Sequence, residues 1–170
     1  DGARLGYGLA SEGCDLTLPD IAANCDIFYI GGTKQGALFG EAVVITNTRL
    51  KKDFRYYIKQ NGGMLAKGRL LGIQFLTLFE DSLYFELASH AVNQALRIRD
   101  AFKKKGYAFL AESPSNQQFP ILDNLTLEKL SADFRFSVWK KIDQTHTAVR
   151  FCTSWATKPE AVDALLKAIQ

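Results

Sequence analysis

Two short apolar runs, "DIFYI" at 26–30 and "EAVVIT" at 41–46, flank a stretch punctuated by Gly31, Gly32, Gly36 and Gly40. Near-continuous apolar runs of this length suit strands buried on both faces, because a solvent-facing side would impose alternating polar positions. Upstream, Thr17, Pro19 and Asp20 mark the start of a short helix through Ala23. Downstream, Asn47 and Thr48 can cap a helix in which Leu50, Phe54, Tyr57 and Ile58 recur at helical spacing, and "NGG" at 61–63 stops it. From Leu65 a long helical pattern runs to about Lys105, with a break expected near Asp81–Ser82 and Gly106 as its C-terminal stop.

After Gly106 the texture changes. "YAFLAES", "FPILD", "FRFSVWK" and "TAVRFCTS" are short strand candidates, separated by "PSN", a helix-like "LTLEKLSADF" and "IDQTH". Thr157 and Glu160 have capping-box spacing, with Pro159 in the first turn of a closing amphipathic helix through Ile169. The expectation is an α/β first part with parallel strands, followed by a smaller α+β unit. The division falls at residues 1–85 and 86–170. No internal repeat or low-complexity stretch appears.

Composition narrows the classes. At 170 residues, 47% apolar and 23% charged, the chain has the make-up of one or two globular domains. No apolar run approaches the roughly 20 residues a membrane helix needs, and no signal peptide opens the chain, so a membrane partner is not expected. Three cysteines, Cys14, Cys25 and Cys152, form no CxxC or Cys/His cluster; a metal site is not expected, and reduced thiols suit a cytoplasmic protein. The net charge is only +3, and the basic runs "RLKKDFR" and "FKKKG" sit on or at the end of helical patterns, so nucleic acid is not indicated.

Chemistry concentrates in the glycine-lined bend. Lys34 follows an apolar strand there, and such a bend can desolvate an amine and lower its pKa, as a Schiff-base lysine requires. A phosphate-binding loop would need the order Gly-Lys-Ser/Thr, whereas here Thr33 precedes Lys34. A surface-loop lysine at a strand end is the plainer alternative. Asp1 adds weight to the chemical reading. A pyridoxal phosphate enzyme needs a lysine to hold the cofactor and a carboxylate to keep its pyridine nitrogen protonated. In an α/β sheet the two can lie at neighbouring strand ends. An aspartate in an N-terminal turn is the plain alternative for Asp1.

"DGARLG" followed by "DIFYIGGTKQGALFGEAVV" resembles the threonine aldolase and β-eliminating lyase family of fold-type I pyridoxal phosphate enzymes, most closely its low-specificity L-threonine aldolases. The likeness continues through "NGGMLAKGRLLGIQF" and "SHAVNQALRI" to "VRFCTSW". It implies the end of a large, mostly parallel cofactor domain plus a small C-terminal domain: the C-terminal half of a chain about twice as long. An opening on a motif-like tetrapeptide points the same way. The resemblance assigns Asp1 to the pyridine nitrogen, Arg4 to the cofactor hydroxyl or substrate carboxylate, and Lys34 to the covalent link. Arg150 in "AVRF" matches the family arginine that grips the substrate carboxylate; by itself it reads as a strand-edge arginine with its head in solvent. Leu65 stands where the family carries an arginine, and Lys67 is a candidate substitute for its phosphate contact across subunits.

The implied cofactor is pyridoxal 5'-phosphate. The implied reaction is retro-aldol cleavage, on a lysine-bound imine, of a β-hydroxy amino acid such as L-threonine or L-allo-threonine to glycine and acetaldehyde. The implied partners are the upstream half of the same protein and further copies in a homodimer or homotetramer. Another fold-type I enzyme, such as an aromatic amino acid β-lyase or a cysteine desulfurase, would share Asp1 and Lys34, and a non-catalytic fragment is the remaining alternative. His90, within a helical pattern, reads as structural, His146 as a turn residue, and Trp139 and Trp155 as core or interface aromatics.

Overall fold

The computed structural model of the chain describes residues 1–169; Gln170, the end of the second expected segment, lies outside them. Helix α1 (Leu5–Leu9) leads, a turn the sequence pattern did not announce. Helix α2 (Leu18–Asn24) starts where expected: Thr17 accepts from the Asp20 backbone N–H, and the Asp20 carboxylate accepts from that of Thr17.

Strands β1 (Ile27–Gly31) and β2 (Glu41–Ile45) pair antiparallel, with Ile30 opposite Ala42. This corrects the expected parallel arrangement. Residues 32–40 form one tight loop, and a parallel crossover needs a dozen residues or more. The two strands are also not buried on both faces, since Ile27 is 45% exposed and Val43 48%.

A 3-10 turn at Thr48–Lys51 precedes α3 (Phe54–Gln60). The single helix expected there is interrupted because Asp53 adopts φ 57, a left-handed conformation. Helices α4 (Arg69–Phe79) and α5 (Leu83–Lys104) divide at the expected break, where Asp81 and Ser82 both take positive φ. Gly106 closes α5 with two hydrogen bonds: its own N–H reaches Lys103 O at 2.9 Å, and that of Tyr107 reaches Phe102 O at 3.1 Å. The Tyr107 ring meets Phe102 edge-on at 5.3 Å, the apolar contact that accompanies this helix ending.

Strands β3 (Gln117–Gln118), β4 (Ile121–Asp123) and β5 (Ser137–Lys141) all pair antiparallel with β6 (His146–Cys152), and helices α6 (Asn124–Asp133) and α7 (Pro159–Ala168) accompany this sheet. "YAFLAES" supplies only one bridge, Phe109 to Pro120. The expected Thr157–Glu160 box is absent, because the Thr157 hydroxyl instead accepts from Ser154 N at 2.8 Å, and Lys158 opens α7 with no side-chain cap.

Along β6, Val149 and Phe151 point into a core with Ile98, Phe102, Leu122 and Leu165, while Arg150 and Cys152 face the other way. Full burial of one such side chain contributes about 1.5–3 kcal/mol. Helix α5 serves both ends of the molecule. Its first half packs Ala88, Ala91 and Val92 against Tyr7 of α1; Ile98 and Phe102 of its second half enter the sheet core. Among the described residues no helix is long and apolar enough to cross a membrane.

Candidate active site

The first four residues cross the end of β1 at van der Waals distance or less. Gly31 N donates to Gly2 O at 2.9 Å, and Leu5 N donates to the same oxygen at 3.1 Å as α1 begins. A Cβ on Gly2 would stand 1.5 Å from Tyr29 O, and one on Gly31 2.6 Å from Gly2 O. Glycine is therefore required at both positions for the crossing to exist. Gly2→Ala is expected to cost at least the ~1–3 kcal/mol of an overpacked core position. Thermal unfolding checks this: an unchanged midpoint would mean that the two segments do not cross so closely.

This crossing sets the two charged residues of "DGAR". Asp1 is exposed, and its Oδ1 accepts from Tyr29 Oη at 2.6 Å and Ala3 N at 2.9 Å. Arg4 is half-buried, and its Nε is buried with no hydrogen-bond partner among the described residues. Beneath them Tyr84, fully buried on α5, accepts from Gly6 N at 3.0 Å and donates to Gly31 O at 3.4 Å. Burial pushes its phenol up to about 12, so the hydroxyl remains a donor at neutral pH.

Lys34 sits in a loop held from both sides. Gln35 N and Ala37 N both donate to Gly32 O, at 2.9 and 3.0 Å. The Gln35 side chain is buried and donates to Tyr84 O at 2.9 Å. Lys34 itself is exposed, which corrects the expectation of a desolvated amine. The bend presents this amine instead of burying it.

Between the two halves of the molecule lies a cleft of about 320 Å³. Arg4, Tyr7, Thr33 and Lys34 line one side. Asn116 and the segment from Cys152 to Trp155, which follows β6, line the other. Larger grooves elsewhere, of about 740, 550 and 400 Å³, carry none of Asp1, Arg4, Lys34 and Arg150. We therefore take the smaller cleft as the site, because chemistry and not size distinguishes it. It sets a primary amine and a guanidinium at one opening, a donor set suited to a small carboxylate-bearing molecule.

Asp1 and Arg150 do not line this cleft. Arg150 lies two positions before Cys152 on the same face of β6. It donates to Gln117 Oε1 at 3.3 Å and Ser137 Oγ at 3.4 Å, and its guanidinium lies 5.0 Å over the Trp139 ring. Trp139 and Trp155 are 52% and 42% exposed, which leaves the interface half of the core-or-interface expectation; Trp155 borders the cleft. His90 Nε2 meets Thr157 O at 2.7 Å, a structural tether between α5 and the start of α7, and His146, the first residue of β6 where a turn residue was expected, pairs with Asp143 of the preceding turn. Lys67 is exposed in the turn before α4. Among the described residues no group of three or more His, Cys, Asp or Glu could hold a metal. No motif marks Tyr7, Asn116 and Trp155 as cleft residues, since they are brought together from distant segments.

No family model matches the chain. Individual proteins do. The low-specificity L-threonine aldolase of Pseudomonas aeruginosa is 30% identical over 172 residues, covering 100% of this chain and 49% of that protein. That of a second Pseudomonas strain is 29% identical over 171 residues, covering 97% and 47%. The solved structure of Leishmania major threonine aldolase superposes with a TM-score of 0.96 at 43% identity, over 99% of this chain and 49% of that one. The chain is related to the low-specificity threonine aldolases. Its likeness to them, read above from "DGARLG" and "GGTKQG", extends over the whole chain, and the α/β class stands. The chain spans about half the length of these threonine aldolases.

Proposed function

We propose that the full-length protein is a pyridoxal phosphate-dependent lyase that cleaves L-threonine or L-allo-threonine to glycine and acetaldehyde. The observation that carries this reading is the cleft shared by Lys34 and Arg4, in a chain 43% identical to a threonine aldolase of the same fold. The residues fit the cofactor. An exposed amine is available for a covalent link, a carboxylate is held by two donors, and the Arg4 Nε has its hydrogen bond still to make. When bound, pyridoxal phosphate supplies a sink for the electron pair left on Cα as the Cα–Cβ bond breaks.

The chain's own residues do the rest. Lys34 Nζ would hold the cofactor through its amine. The Asp1 carboxylate would keep a proton on the pyridine nitrogen. Arg4 binds the cofactor hydroxyl or the substrate carboxylate, and Arg150 grips that carboxylate through its fork. We assign residues 1–85 to the cofactor unit and residues 86–170 to the smaller unit, with α5 running across the division. The missing partners are the upstream half of the protein and a second copy in a homodimer or homotetramer. Exposed apolar residues on the first unit support that, among them Leu38 at 87%, Tyr56 at 75% and Leu76 at 68%. The free thiols of Cys14, Cys25 and Cys152 support a reducing compartment such as the cytoplasm.

The test is release of acetaldehyde from threonine and allo-threonine by the full-length protein. Cysteine or an aromatic amino acid turned over in preference would place it in another branch of pyridoxal phosphate chemistry. Arg150 gives a sharper check. A carboxylate–guanidinium contact exists in both the ground and transition states, so Arg150→Ala should mainly raise KM. Loss of a charge-assisted contact costs about 1.5–3 kcal/mol, so a rise of roughly tenfold or more is expected. Arg150→Lys keeps the charge but loses the fork, and should recover only part of it. A KM for Arg150→Ala within about twofold of wild type would remove Arg150 from the substrate site, because even ~1 kcal/mol is a larger change.

A further inference from the structure

Tyr7 is 1% exposed, and its hydroxyl makes two contacts that join three separate segments. It donates to the main-chain oxygen of Lys34 and accepts from the backbone N–H of Trp155 at 3.3 Å. The ring packs with Ala88, Ala91 and Val92 of α5, so the phenol is anchored in the core. Arg4 opens the same short helix that carries Tyr7. One phenolic oxygen thus links the helix after "DGAR", the lysine loop and the segment after β6 that forms the opposite wall of the cleft. Burial raises the Tyr7 pKa above its ordinary value, which keeps the proton that the Lys34 carbonyl needs.

We propose that Tyr7 is a positioning residue for Lys34, fixing the peptide from which the amine projects and tying it to the Trp155 wall. Lys34 is exposed and its side chain makes no hydrogen bond among the described residues, so its placement depends on its main chain. That main chain is held by the Gly32 oxygen on one side of the loop and by Tyr7 at the lysine itself. Without the hydroxyl, a carbonyl and an N–H at the cleft lose their partner together, and the two walls lose their one shared atom.

The inference rests on the lyase reading for its kinetic arm and stands free of it in its structural arm. Tyr7→Phe keeps the ring and its packing, so the variant should fold. In the full-length protein kcat should fall by ~tenfold or more, because small misplacements of reacting groups carry large rate costs, while KM for threonine stays within about twofold. Amide exchange at Trp155 should be slow in the wild type and faster in Tyr7→Phe. Tyr107→Phe is the control. Its hydroxyl bonds Thr126 Oγ1 at 3.1 Å, far from the cleft, so its loss should lower the melting temperature without touching kcat.

A fast-exchanging Trp155 amide in the wild type would overturn the clamp. So would a Tyr7→Phe enzyme with wild-type kcat, or one whose loss Tyr107→Phe reproduces at equal melting temperature. Absence of threonine cleavage by the wild type would instead sink the lyase reading, and the exchange measurement would still decide the role of Tyr7.

Discussion

Lys34→Ala in the full-length protein is expected to abolish threonine cleavage, with kcat reduced by at least ~10³-fold, as when a covalent catalyst loses its nucleophile. The argument starts from the loop. Gly32 O collects the N–H groups of Gln35 and Ala37, buried Gln35 reaches Tyr84, and Tyr7 holds the Lys34 carbonyl. The loop is held at Gly32, Gln35, Ala37 and the Lys34 carbonyl, and Lys34 lines the cleft with Arg4. Removing it disturbs no buried side chain, because Lys34 is exposed, so the fold should survive and an activity loss can be read as chemistry. Borohydride reduction of the cofactor-loaded wild type should attach the cofactor to Lys34, as read by peptide mass. A label on another lysine, or a Lys34→Ala enzyme with full turnover, removes the central assignment.

Local signals in the sequence are legible where one residue decides the backbone. The Thr17–Asp20 start depends on two side chains and the stop at Gly106 on a φ angle that glycine adopts freely, while the break at Asp81–Ser82 falls on two residues held at positive φ. The "DGAR" and "GGTK" segments could be singled out because each carries chemistry in a short span. Of their glycines, Gly2 and Gly31 serve the crossing of the two segments, and Gly32 the close approach of Ala37, Gly40 and Phe75. Apolar content in β1 and β2 suggested burial on both faces, whereas Ile27 and Val43 are half exposed and the strands' direction is set by the length of the loop between them. Thr157 had the spacing of a cap, but its hydroxyl was taken by Ser154, a competition that spacing does not record. Tyr7 and Trp155 meet only because α1 packs on α5 and β6 ends beside it. No local pattern announces a contact across that separation.

Asp1→Asn should slow turnover by about two orders of magnitude or more, the scale on which single groups that stabilise developing charge act. The carboxylate is exposed yet fixed, with Tyr29 Oη at 2.6 Å and Ala3 N at 2.9 Å both donating to Oδ1. Asparagine has nearly the same shape, and its Oδ1 can accept from the same two donors. The turn at Ala3 and the Gly2 crossing should therefore persist, and the melting temperature should stay close to wild type. What changes is charge: a neutral amide cannot keep a proton on a pyridine nitrogen, so the ring loses most of its capacity to accept the Cα electron pair. Cofactor binding should be retained in part, because Lys34 and Arg4 remain. Tyr29→Phe separates orientation from charge. It leaves the carboxylate ionised but removes one neutral-to-charged hydrogen bond, worth about 1.5–3 kcal/mol, so its effect should be smaller than that of Asp1→Asn. Steady-state kcat should accordingly fall in the order wild type, Tyr29→Phe, Asp1→Asn. An Asp1→Asn enzyme that turns over as fast as wild type would mean that this carboxylate holds only the turn at Ala3, and that the pyridine proton is kept elsewhere.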